Sequence, residues 1–496
     1  MNFFFYDRNY IHSHRRILLC STVGGFIHAA PVLELGAVLA ARGHEVHFGT
    51  NSGQEHWASD YPSITRVHSF GPAMPDADAE AHYAHMIQWR PSDGPDTWFH
   101  LRELMLDTEI KPDMIIADFF LEAAAKDMMI EFGVPIAMPY LLAPVSCIPG
   151  QPGFQVDFTP TSEKASVWSR IRNEMTRWTR TMRRRQGVKH SVPVAPKPNH
   201  LVFVNFFFGL EPAKDLPPLM QVVGPILGDE YPQLDESYRA FLESHNKTVY
   251  VAPGTHIAVL EADLMKLLNG LVMAIDVGHI NGAIWSIGKS ARSAHVERTD
   301  GRRISFGEIL DEKHPDIRIT SLSHSRRQFS ANETLFHGKP TLFLGFFFDQ
   351  LANSARLVEA DVGLALDEFD FTATEISDKI GRIVSDVGGS FGRNVERMKR
   401  IARVASRRKE LAVDIVEEVI FDHELRLVGG RALRPMHLQT ADMRMSVRKA
   451  RNWDLWLVSV SMLAVGGTIY FMAAKYARRL DLGIFRFVSG IVYDVN

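Results

Sequence analysis

The sequence predicts an α/β protein built from two Rossmann-like domains, with a transmembrane helix near the C-terminus. Three observations predict this fold class. A strand, a loop, a helix and a second strand follow one another in RRILLCSTV, GGFIHAA, PVLELGAVLAARGHE and EVHFGT, the order that opens a Rossmann-type unit. A similar alternation returns in residues 330–367. Residues 455–474 then form about 20 residues without a charge, enough to span a bilayer.

The bulk composition is that of a globular protein. The chain has 496 residues, which is long enough for two α/β domains, and 46% of them are hydrophobic and 23% charged. A formal net charge of −3 gives no reason to expect nucleic acid as a partner. Two cysteines, Cys20 and Cys147, imply no disulfide framework and fit a reducing compartment. Residues 1–16 lack the apolar core of a signal peptide, which favours a cytosolic body.

The first predicted domain carries two polar residues at strand ends. Its first helix has Pro31 near the first turn and Gly43 after its end. His28 lies in the loop directly after the first strand, and a later strand ends at Asp118. An imidazole, with an unperturbed pKa of about 6.5, suits the removal of a proton from an alcohol, and a carboxylate nearby can accept its Nδ1 proton. From position alone, a structural role is the more frequent outcome for both residues.

The segment KASVWSRIRNEMTRWTRTMRRRQ predicts an amphipathic helix. Its large apolar residues recur every three or four positions, and the opposite face is basic. Two interpretations stay open. The helix either packs on the first domain as a surface element or lies on an anionic membrane surface.

The second predicted domain begins near Pro225. Its strand and glycine loop, KTVYVAPGTH, precede alternating helices and strands. Ser330 and Glu333 form a capping box, so a helix should start there and stop at Gly338. TLFLGFFF predicts a strand buried on both faces.

Asp349 and Gln350 follow that strand at its carboxyl end, where open α/β sheets place ligands. An ionised aspartate accepts hydroxyl groups, and a glutamine amide both donates and accepts. The alternative is that Asp349 merely caps the next helix.

The pattern S-x-x-E-x-x-x-x-G-x-P, a buried strand and then D-Q-x-x-N resembles the nucleotide-sugar signature of the UDP-glycosyltransferase family. GGFIHAAPVLELGAVLAARGH likewise resembles the strand-end loop and helix with which those enzymes begin. The resemblance implies the GT-B fold, two Rossmann domains facing a cleft. It implies that His28 is the general base and Asp118 its partner, whereas His44 is structural.

The resemblance also implies a set of donor-binding residues. Glu333 would hold the ribose hydroxyls of UDP, and Ser330 would lie near the diphosphate at a helix N-terminus. Gly254 and Thr255 would form the phosphate-side loop, whose small side chains let backbone amides approach a diphosphate. Asp349 and Gln350 would bind the sugar hydroxyls.

One part of the expected pattern is missing. Between Ile319 and Ser330 the family has a P-Q loop, whose aromatic stacks on uracil, and an H-x-G-x-x-S loop, but this chain has only ITSLSHSRRQFS. About ten residues, at about 3.3 Å each when extended, cannot hold the loop, helix, strand and glycine loop. We therefore expect that one βα step is deleted and that the uracil platform is lost. Arg326 and Arg327 can still attract phosphate.

The expected domain organisation follows from these boundaries. Residues 1–224 form the acceptor-binding domain, 225–430 the UDP-sugar-binding domain, 431–454 a linker, 455–474 the transmembrane helix and 475–496 a short tail. The basic residues on both sides of the span are nearly balanced, so they leave the orientation open. Related enzymes with such an anchor often keep their body in the endoplasmic reticulum lumen, which places the anchor in that membrane and leaves the side of the body open.

The resemblance implies an inverting enzyme that moves glucose or glucuronate from a UDP-sugar to a lipophilic acceptor such as a sterol or lipid. The UDP-sugar is a co-substrate, and no cofactor or metal is expected because no ligand cluster has metal spacing. The alternative is a catalytically impaired, membrane-bound lipid-binding relative with a damaged donor site. A dehydrogenase is excluded because neither domain carries G-x-G-x-x-G with an acid at the right distance.

Overall fold

The computed structural model describes most of the chain between residues 14 and 493. The described residues are 14–22, 25–72, 95–140, 166–168, 171–172, 175, 198–210, 213, 215–229, 231, 233–252, 261–287, 295–297, 303–305, 314–321, 331–345, 349–367, 370–428, 431–432, 437–450 and 452–493. They form two compact units, Met1–His437 and Leu438–Asn496.

The first unit contains a continuous parallel sheet of seven strands. Its strands are β1 Arg16–Cys20, β2 Glu45–Ser52, β3 Arg66–Pro72, β4 Met114–Ala117, β5 Ile136–Tyr140, β6 Leu201–Val204 and β7 Met220–Val222. Their order is β3-β2-β1-β4-β5-β6-β7, with every neighbouring pair parallel. The order reverses between β1 and β4, which is the point where doubly wound sheets bind their ligands.

Helices flank this sheet. They are α1 Phe26–Ala41, α2 Pro95–Leu106 and α3 Glu122–Phe132, with 3-10 turns at Glu55–Asp60 and Phe119–Leu121. The sequence placed Pro31 near the first turn of α1. The helix begins earlier, at Phe26, so Pro31 lies inside it. Gly25 precedes α1 with φ 71°, a backbone conformation that residues other than glycine rarely adopt. This turn lets the chain enter α1 directly from the end of β1.

The C-terminal half of the first unit has shorter sheets. Its strands are β8 Thr248–Val251, β9 Gly282–Ile287, β10 His295–Glu297, β11 Arg303–Ser305, β12 Ile317–Ser321, β13 Thr341–Leu344, β14 Gly363–Leu366, β15 Leu427–Val428 and β16 Arg431–Ala432. Its helices are α4 Glu236–Ser244, α5 Glu261–Asp276, α6 Ala331–His337, α7 Asp349–Glu359, α8 Ala373–Ser385, α9 Ser390–Ala405 and α10 Lys409–Arg426. A 3-10 turn at Ser406–Arg408 joins α9 to α10.

The parallel strands of this half form two separate sheets. One has the order β12-β9-β8, and the other pairs β13 with β14. Among the described residues, β8 pairs only with β9 and β13 only with β14. The valines of β8 and the leucines of β13 nevertheless pack against one hydrophobic cluster, built largely on α5 and α8. Two open strand edges therefore border the same core.

The prediction of a strand buried on both faces was wrong for β13. Its four residues are all half-buried, and Gly345 already lies beyond the strand. The reason is topological, because an apolar strand that pairs on one side only keeps its other edge accessible. The predicted boundaries of the preceding helix are confirmed. The helix α6 starts directly after Ser330 and ends before Gly338, which has φ 70°.

The last helix of the first unit, α10, returns to the N-terminal half and packs on the end of α1. Arg42, at the end of α1, donates to Asp414 and Glu417 through Nη1 (2.7 and 2.8 Å) and to Glu410 through Nη2 (2.9 Å). The buried His44 contacts the other oxygen of Glu417 through Nε2 at 3.2 Å. The acidic face of α10 is thus docked on the end of α1, which supports the structural role expected for His44.

The second unit consists of a 3-10 turn at Ala441–Arg444 and two helices, α11 Val447–Ala450 and α12 Trp453–Tyr493. Within α12, Trp453–Asp481 contains an 18-residue window with a mean hydropathy of 1.8, and none of that window is buried. Among the described residues, α12 is the one helix that is long and apolar enough to cross a membrane. The predicted span 455–474 lies inside it.

Candidate active site

The central feature of the site is a histidine–aspartate pair at the point where the strand order of the seven-stranded sheet reverses. β1 and β4 are adjacent and parallel, with Cys20 opposite Ala117. His28 stands on the first turn of α1, which follows β1, and Asp118 directly follows β4. The carboxyl ends of two neighbouring strands therefore bring together residues that are 90 positions apart in the chain.

The hydrogen bond between the two side chains defines the state of the imidazole. Nδ1 of His28 lies 3.0 Å from Oδ1 of Asp118. An ionised carboxylate only accepts hydrogen bonds, so Nδ1 carries the proton and donates it. Nε2 is then the basic nitrogen of the neutral ring. The side chain of His28 is 14% exposed and that of Asp118 only 2%, so the aspartate is enclosed while the histidine still reaches the surface.

Asp118 is held in place by its own backbone and by the turn that follows it. Its N–H donates to the carbonyl of Cys20 at 2.9 Å, which extends the β1–β4 pairing by one step. Its Oδ2 accepts the N–H of Phe120 at 3.1 Å, and this bond caps the 3-10 turn. Each oxygen of the carboxylate thus has a defined partner, and the orientation of His28 follows from that arrangement.

Aromatic rings surround the imidazole on one side. The ring centroid of His28 lies 4.8 Å from that of Phe120 and 5.4 Å from that of Phe119. Phe119 in turn stacks on Tyr140, the last residue of β5, at 5.5 Å and an interplanar angle of 17°. Sequence reasoning missed these three residues. The signal was available in the pair of phenylalanines after Asp118 and the tyrosine that ends the next strand.

The predicted donor-binding residues are described only in part. Glu333 is half-buried on the first turn of α6, and Gln350 is half-buried on the first turn of α7. Asp349 is the first residue of α7, but its side chain lies outside the described part of the structure. Gly254, Thr255 and Ser330 also lie outside the described residues.

The helix that carries Glu333 is fixed to the N-terminal half of the unit. The side-chain amide of the buried Asn332 donates to the carbonyl of Asn205 at 2.6 Å, and Oδ1 of Asn205 accepts the N–H of Ile226 at 2.6 Å. Leu335 of the same helix belongs to the hydrophobic cluster of the seven-stranded sheet. Sequence reasoning did not find this connection, because asparagine side chains carry no recognisable spacing signal.

The described part of the chain offers no arrangement of three or more His, Cys, Asp or Glu side chains that could hold a metal ion. The His28–Asp118 pair combines an imidazole with a buried carboxylate, the two groups that general acid–base chemistry uses.

Similarity to known proteins decides the family. The UDP-glycosyltransferase FPY2 of Fusarium mangiferae is 34% identical, over 93% of this chain and 99% of that protein. A UDP-glycosyltransferase of Talaromyces amestolkiae is 37% identical, over 91% of this chain and 96% of that protein. The chain belongs to the UDP-glycosyltransferase family. It is a UDP-dependent glycosyltransferase with a UDP-sugar as donor.

No family model matches the sequence of this UDP-glycosyltransferase. Its fold is similar to that of the crystallised glycotransferase of kitacinnamycin, with a TM-score of 0.52, 16% identity, and coverage of 82% of this chain and 98% of that chain. The predicted α/β fold of GT-B type is confirmed. The alignment with the F. mangiferae relative spans 546 positions, more than the 496 residues of this chain, so that relative has stretches without a counterpart here. The predicted deletion between Ile319 and Ser330 stays a prediction.

Proposed function

We propose that this UDP-glycosyltransferase transfers a hexose, glucose or glucuronate, from a UDP-sugar to a hydroxyl of a lipophilic acceptor in one inverting step. The observation that carries the proposal is the 3.0 Å contact between Nδ1 of His28 and Oδ1 of Asp118. This contact leaves Nε2 as a base at the carboxyl ends of β1 and β4. The proposal assigns the general base to His28 and its support to Asp118.

In the proposed step, Nε2 of His28 removes the proton of the acceptor hydroxyl. The oxygen attacks the anomeric carbon from the side opposite UDP, the bond between that carbon and the diphosphate oxygen breaks, and UDP leaves with the electron pair. Asp118 stabilises the imidazolium that forms, because its carboxylate stays hydrogen-bonded to Nδ1. The charge arises in an enclosed place, where a fixed carboxylate is more effective than water.

The proposed donor site consists of six residues of the C-terminal half: Gly254, Thr255, Ser330, Glu333, Asp349 and Gln350. Glu333 is assigned to the ribose, the first three to the diphosphate side and the last two to the sugar. The reaction as proposed uses no cofactor and no metal, and the proposal assigns the stabilisation of the leaving group to the three diphosphate-side residues.

We further propose that α12 anchors the enzyme in a membrane, in agreement with its length of 41 residues and the full exposure of its apolar window. Trp453 and Trp456, 50% and 69% exposed, stand near one end of the apolar stretch, as aromatic residues at a membrane interface do. A lipophilic acceptor would reach such an enzyme from the bilayer. The endoplasmic reticulum is the membrane that family habit favours.

The divided sheet of the C-terminal half favours a second candidate function, that of a lipid-binding relative with a damaged donor site. The open edges of β8 and β13 are the arrangement that loss of an intervening strand would produce. In that case the acceptor half keeps its geometry, but UDP binds weakly.

Turnover and UDP binding of the full-length protein in detergent separate the two candidates. His28→Ala removes the base and should lower kcat by about 10²- to 10⁴-fold without changing the affinity for UDP. Asp118→Asn should lower kcat as well, because an amide can donate to Nδ1 and reverse the tautomer. His56→Ala, at an exposed position of a 3-10 turn, is the matched histidine control. Folded protein that binds neither UDP nor UDP-glucose in calorimetry would exclude the enzyme function and favour the second candidate.

A further inference from the structure

We propose that the first unit docks on an acidic lipid surface through one positively charged side of α9. This inference rests on the proposed membrane anchor α12 and adds a second, electrostatic contact between the enzyme and the bilayer. We call the contact surface the cationic face. It consists of six exposed residues: Lys339, Arg393, Arg397, Arg403, Arg407 and Arg408.

The helix α9 has two sides of opposite character. Val395, Met398 and Ala402 are buried and belong to the hydrophobic cluster of the seven-stranded sheet. They recur every three or four positions, so one side of the helix is fixed against the core. Arg393 and Arg397 lie four residues apart on the opposite side, and both are exposed. The charged side of α9 therefore points away from the protein interior.

The end of α6 brings a further cation to the same place. Arg403 donates through Nε to the carbonyl of Phe336 at 3.3 Å, and its guanidinium carbon lies 5.6 Å from the centre of the Phe336 ring. Lys339 follows three residues later and is exposed. Burial and the nearby charges of Arg403, Lys339 and Lys399 lower the pKa of His337. The cationic face thus extends from the end of α6 along α9 to the turn that follows it.

The cationic face has almost no counter-charge of its own. Glu396 is the one acidic residue of α9, and it pairs with Arg400 and Lys399 at 3.0 and 3.4 Å. Within the described part of the chain, none of the six residues of the face forms an ion pair. Like charges three or four residues apart on a helix repel each other. An external acidic surface would relieve this repulsion.

The next helix shows the opposite arrangement. The sequence of α10, KELAVDIVEEVIFDHELR, is rich in acidic residues. Arg42 of α1 binds three of them, Glu410, Asp414 and Glu417, at 2.7 to 2.9 Å. The acidic side of α10 is thus neutralised inside the protein, whereas the described residues offer no such partner to the cationic face. We infer that the partner of the cationic face lies outside the chain.

The chain itself brings the cationic face to a bilayer. Residues 409–452 separate the face from the start of α12, and α10 takes up 18 of them. With α12 across the bilayer, the first unit lies on the same side as the segment before α12, where Arg444, Arg448 and Lys449 are exposed. Each Lys or Arg near an acidic leaflet adds to the attraction. A tether of this length makes even weak attraction effective.

A lipid surface fits the cationic face better than a nucleic acid or a free phosphate does. The 16 residues of α9 extend over about 24 Å, at about 1.5 Å per residue. Charges spread over such a distance match many head groups in a plane rather than one phosphate group. A formal net charge of −3 gives the whole chain no general attraction for nucleic acid. The proposed anchor, in contrast, supplies a bilayer.

The experiment measures the accessibility of arginines in the full-length protein, embedded in nanodiscs. Discs of phosphatidylcholine are compared with discs of an equal mixture of phosphatidylcholine and phosphatidylserine. Phenylglyoxal modifies accessible guanidinium groups, and mass spectrometry of the digested protein gives the rate at each arginine. Arg66 on β3 is the internal reference, because it is exposed and lies outside the cationic face.

The expected result is a slower modification of the cationic face in the acidic discs. The rates at Arg393, Arg397 and Arg407 should fall about fivefold or more, the effect of one cation at an acidic surface. The rate at Arg66 should be equal in both kinds of disc. High salt should restore the rates at the face, because it screens the attraction.

Two triple variants with the same loss of charge test the position of the face. In Arg393→Gln/Arg397→Gln/Arg407→Gln, the protection of the remaining Arg408 by acidic lipid should be lost. The control replaces three exposed cations outside the face and should keep this protection: Arg66→Gln/Lys247→Gln/Arg382→Gln. Unfolding temperatures equal to that of the wild type show that both variants are folded.

Three outcomes would overturn the inference. The first is an equal rate at the cationic face in both kinds of disc. The second is protection that is the same in both discs and insensitive to salt, since a protein partner then covers the face. The third is protection in detergent by an RNA oligonucleotide or by inorganic phosphate that equals or exceeds the protection by phosphatidylserine.

Failure of this inference is distinct from failure of the proposed anchor. Recovery of the protein in phosphatidylcholine discs tests α12 alone, because a neutral bilayer offers no net charge to the cationic face. If the protein is recovered there but is not protected in the acidic discs, the anchor is right and the docking surface is wrong. If the protein is recovered only with phosphatidylserine and is protected, the docking surface is right and the anchor is wrong.

Discussion

The two halves of the first unit treat the same kind of strand differently. In the N-terminal half, β1 and β4 lie in the middle of a seven-stranded sheet, and every residue of β4 is buried. In the C-terminal half, β8 and β13 have equally apolar sequences, TVYV and TLFL, but all of their residues are only half-buried. Each of them pairs on one side only within the described part of the chain. Composition alone therefore does not make a strand an interior strand.

The edges of the two halves show the same difference. Of the two outer strands of the N-terminal sheet, β3 contains Arg66, His68 and Pro72, residues of the kind that prevent edge pairing, and β7 is only three residues long. β8 and β13 contain neither a charge nor a proline. Their sequences are those of strands that pair on both sides, but within the described residues each of them lies at an edge of its sheet.

The two halves also differ in how they hold the candidate functional residues. The N-terminal half holds His28 and Asp118 in a fixed arrangement, whereas the described donor candidates, Glu333 and Gln350, lie on α6 and α7, the helices before and after the open-edged β13. We therefore expect the rate of turnover to be limited by binding of the UDP-sugar rather than by proton removal at His28. We also expect the local stability of the two halves to differ.

The largest expected effect is in hydrogen exchange. Amides of β4 are enclosed by β1 and β5 and should exchange only through extensive unfolding, while the amides of β8 and β13 that face the open edges should exchange at least about 10³-fold faster. Peptide-resolved exchange of the full-length protein measures this directly. Equal protection in β4 and β8 would mean that chain outside the described residues covers the open edges.

A smaller effect is expected from one substitution made in both halves. Val202 is fully buried on β6 between β5 and β7. The substitution Val202→Ala should lower the free energy of unfolding by about 2 kcal/mol. Val249→Ala on the half-buried β8 should cost less than about 1 kcal/mol, because less apolar surface is lost from the core. Urea unfolding followed by tryptophan fluorescence compares the two. A larger loss in Val249→Ala would contradict the assignment of β8 as an open edge.

Much of this architecture was predictable from the sequence. The periodic apolar segments gave the first βαβ unit and the helix α6, since capping residues and glycines define helix ends locally. The pairing of His28 with Asp118 could be predicted because both residues follow strands closely and fit the family pattern, while their catalytic roles stay predictions. The sequence DQLANSARLVEADVG predicts a helix that closes at Gly363, but α7 ends at Glu359 and Gly363 begins β14. Local signals do not resolve this shift.

What the sequence could not give were the contacts that depend on topology. The half-burial of β13 depends on which strand lies beside it, and this is a property of the sheet order rather than of TLFL itself. The attachment of α6 to Asn205 joins residues 127 positions apart through a single amide. The stacking of Phe119 on Tyr140 likewise depends on the adjacency of β4 and β5, although the presence of aromatic residues at both strand ends was visible in the sequence.

The smallest effect is expected from acid, and it tests the polar network inside the otherwise apolar N-terminal half. His47 is buried, with Nε2 2.8 Å from Glu45 and Nδ1 3.1 Å from Nε2 of His68. Burial lowers the pKa of His68 to about 4, and the nearby charges of His47 and Arg66 add to the effect. Burial likewise lowers the pKa of His47, although Glu45 opposes the shift.

Both histidines are thus neutral in the folded protein at a pH where the unfolded chain, with a histidine pKa of about 6.5, takes up protons. The contribution of these two histidines to the free energy of unfolding should therefore be constant above about pH 6.5 and fall as the pH drops from about 6.5 to about 4. His68→Gln should flatten this fall in part, because burial also lowers the pKa of His200 to about 3 and lowers the pKa values of His337 and His423, which keep titrating in the variant. Val67→Ala, on the same strand and 41% exposed, should leave the pH dependence unchanged. Urea unfolding at a series of pH values checks this, and a fall of equal steepness in His68→Gln would show that the acid sensitivity originates outside the His47–His68 pair.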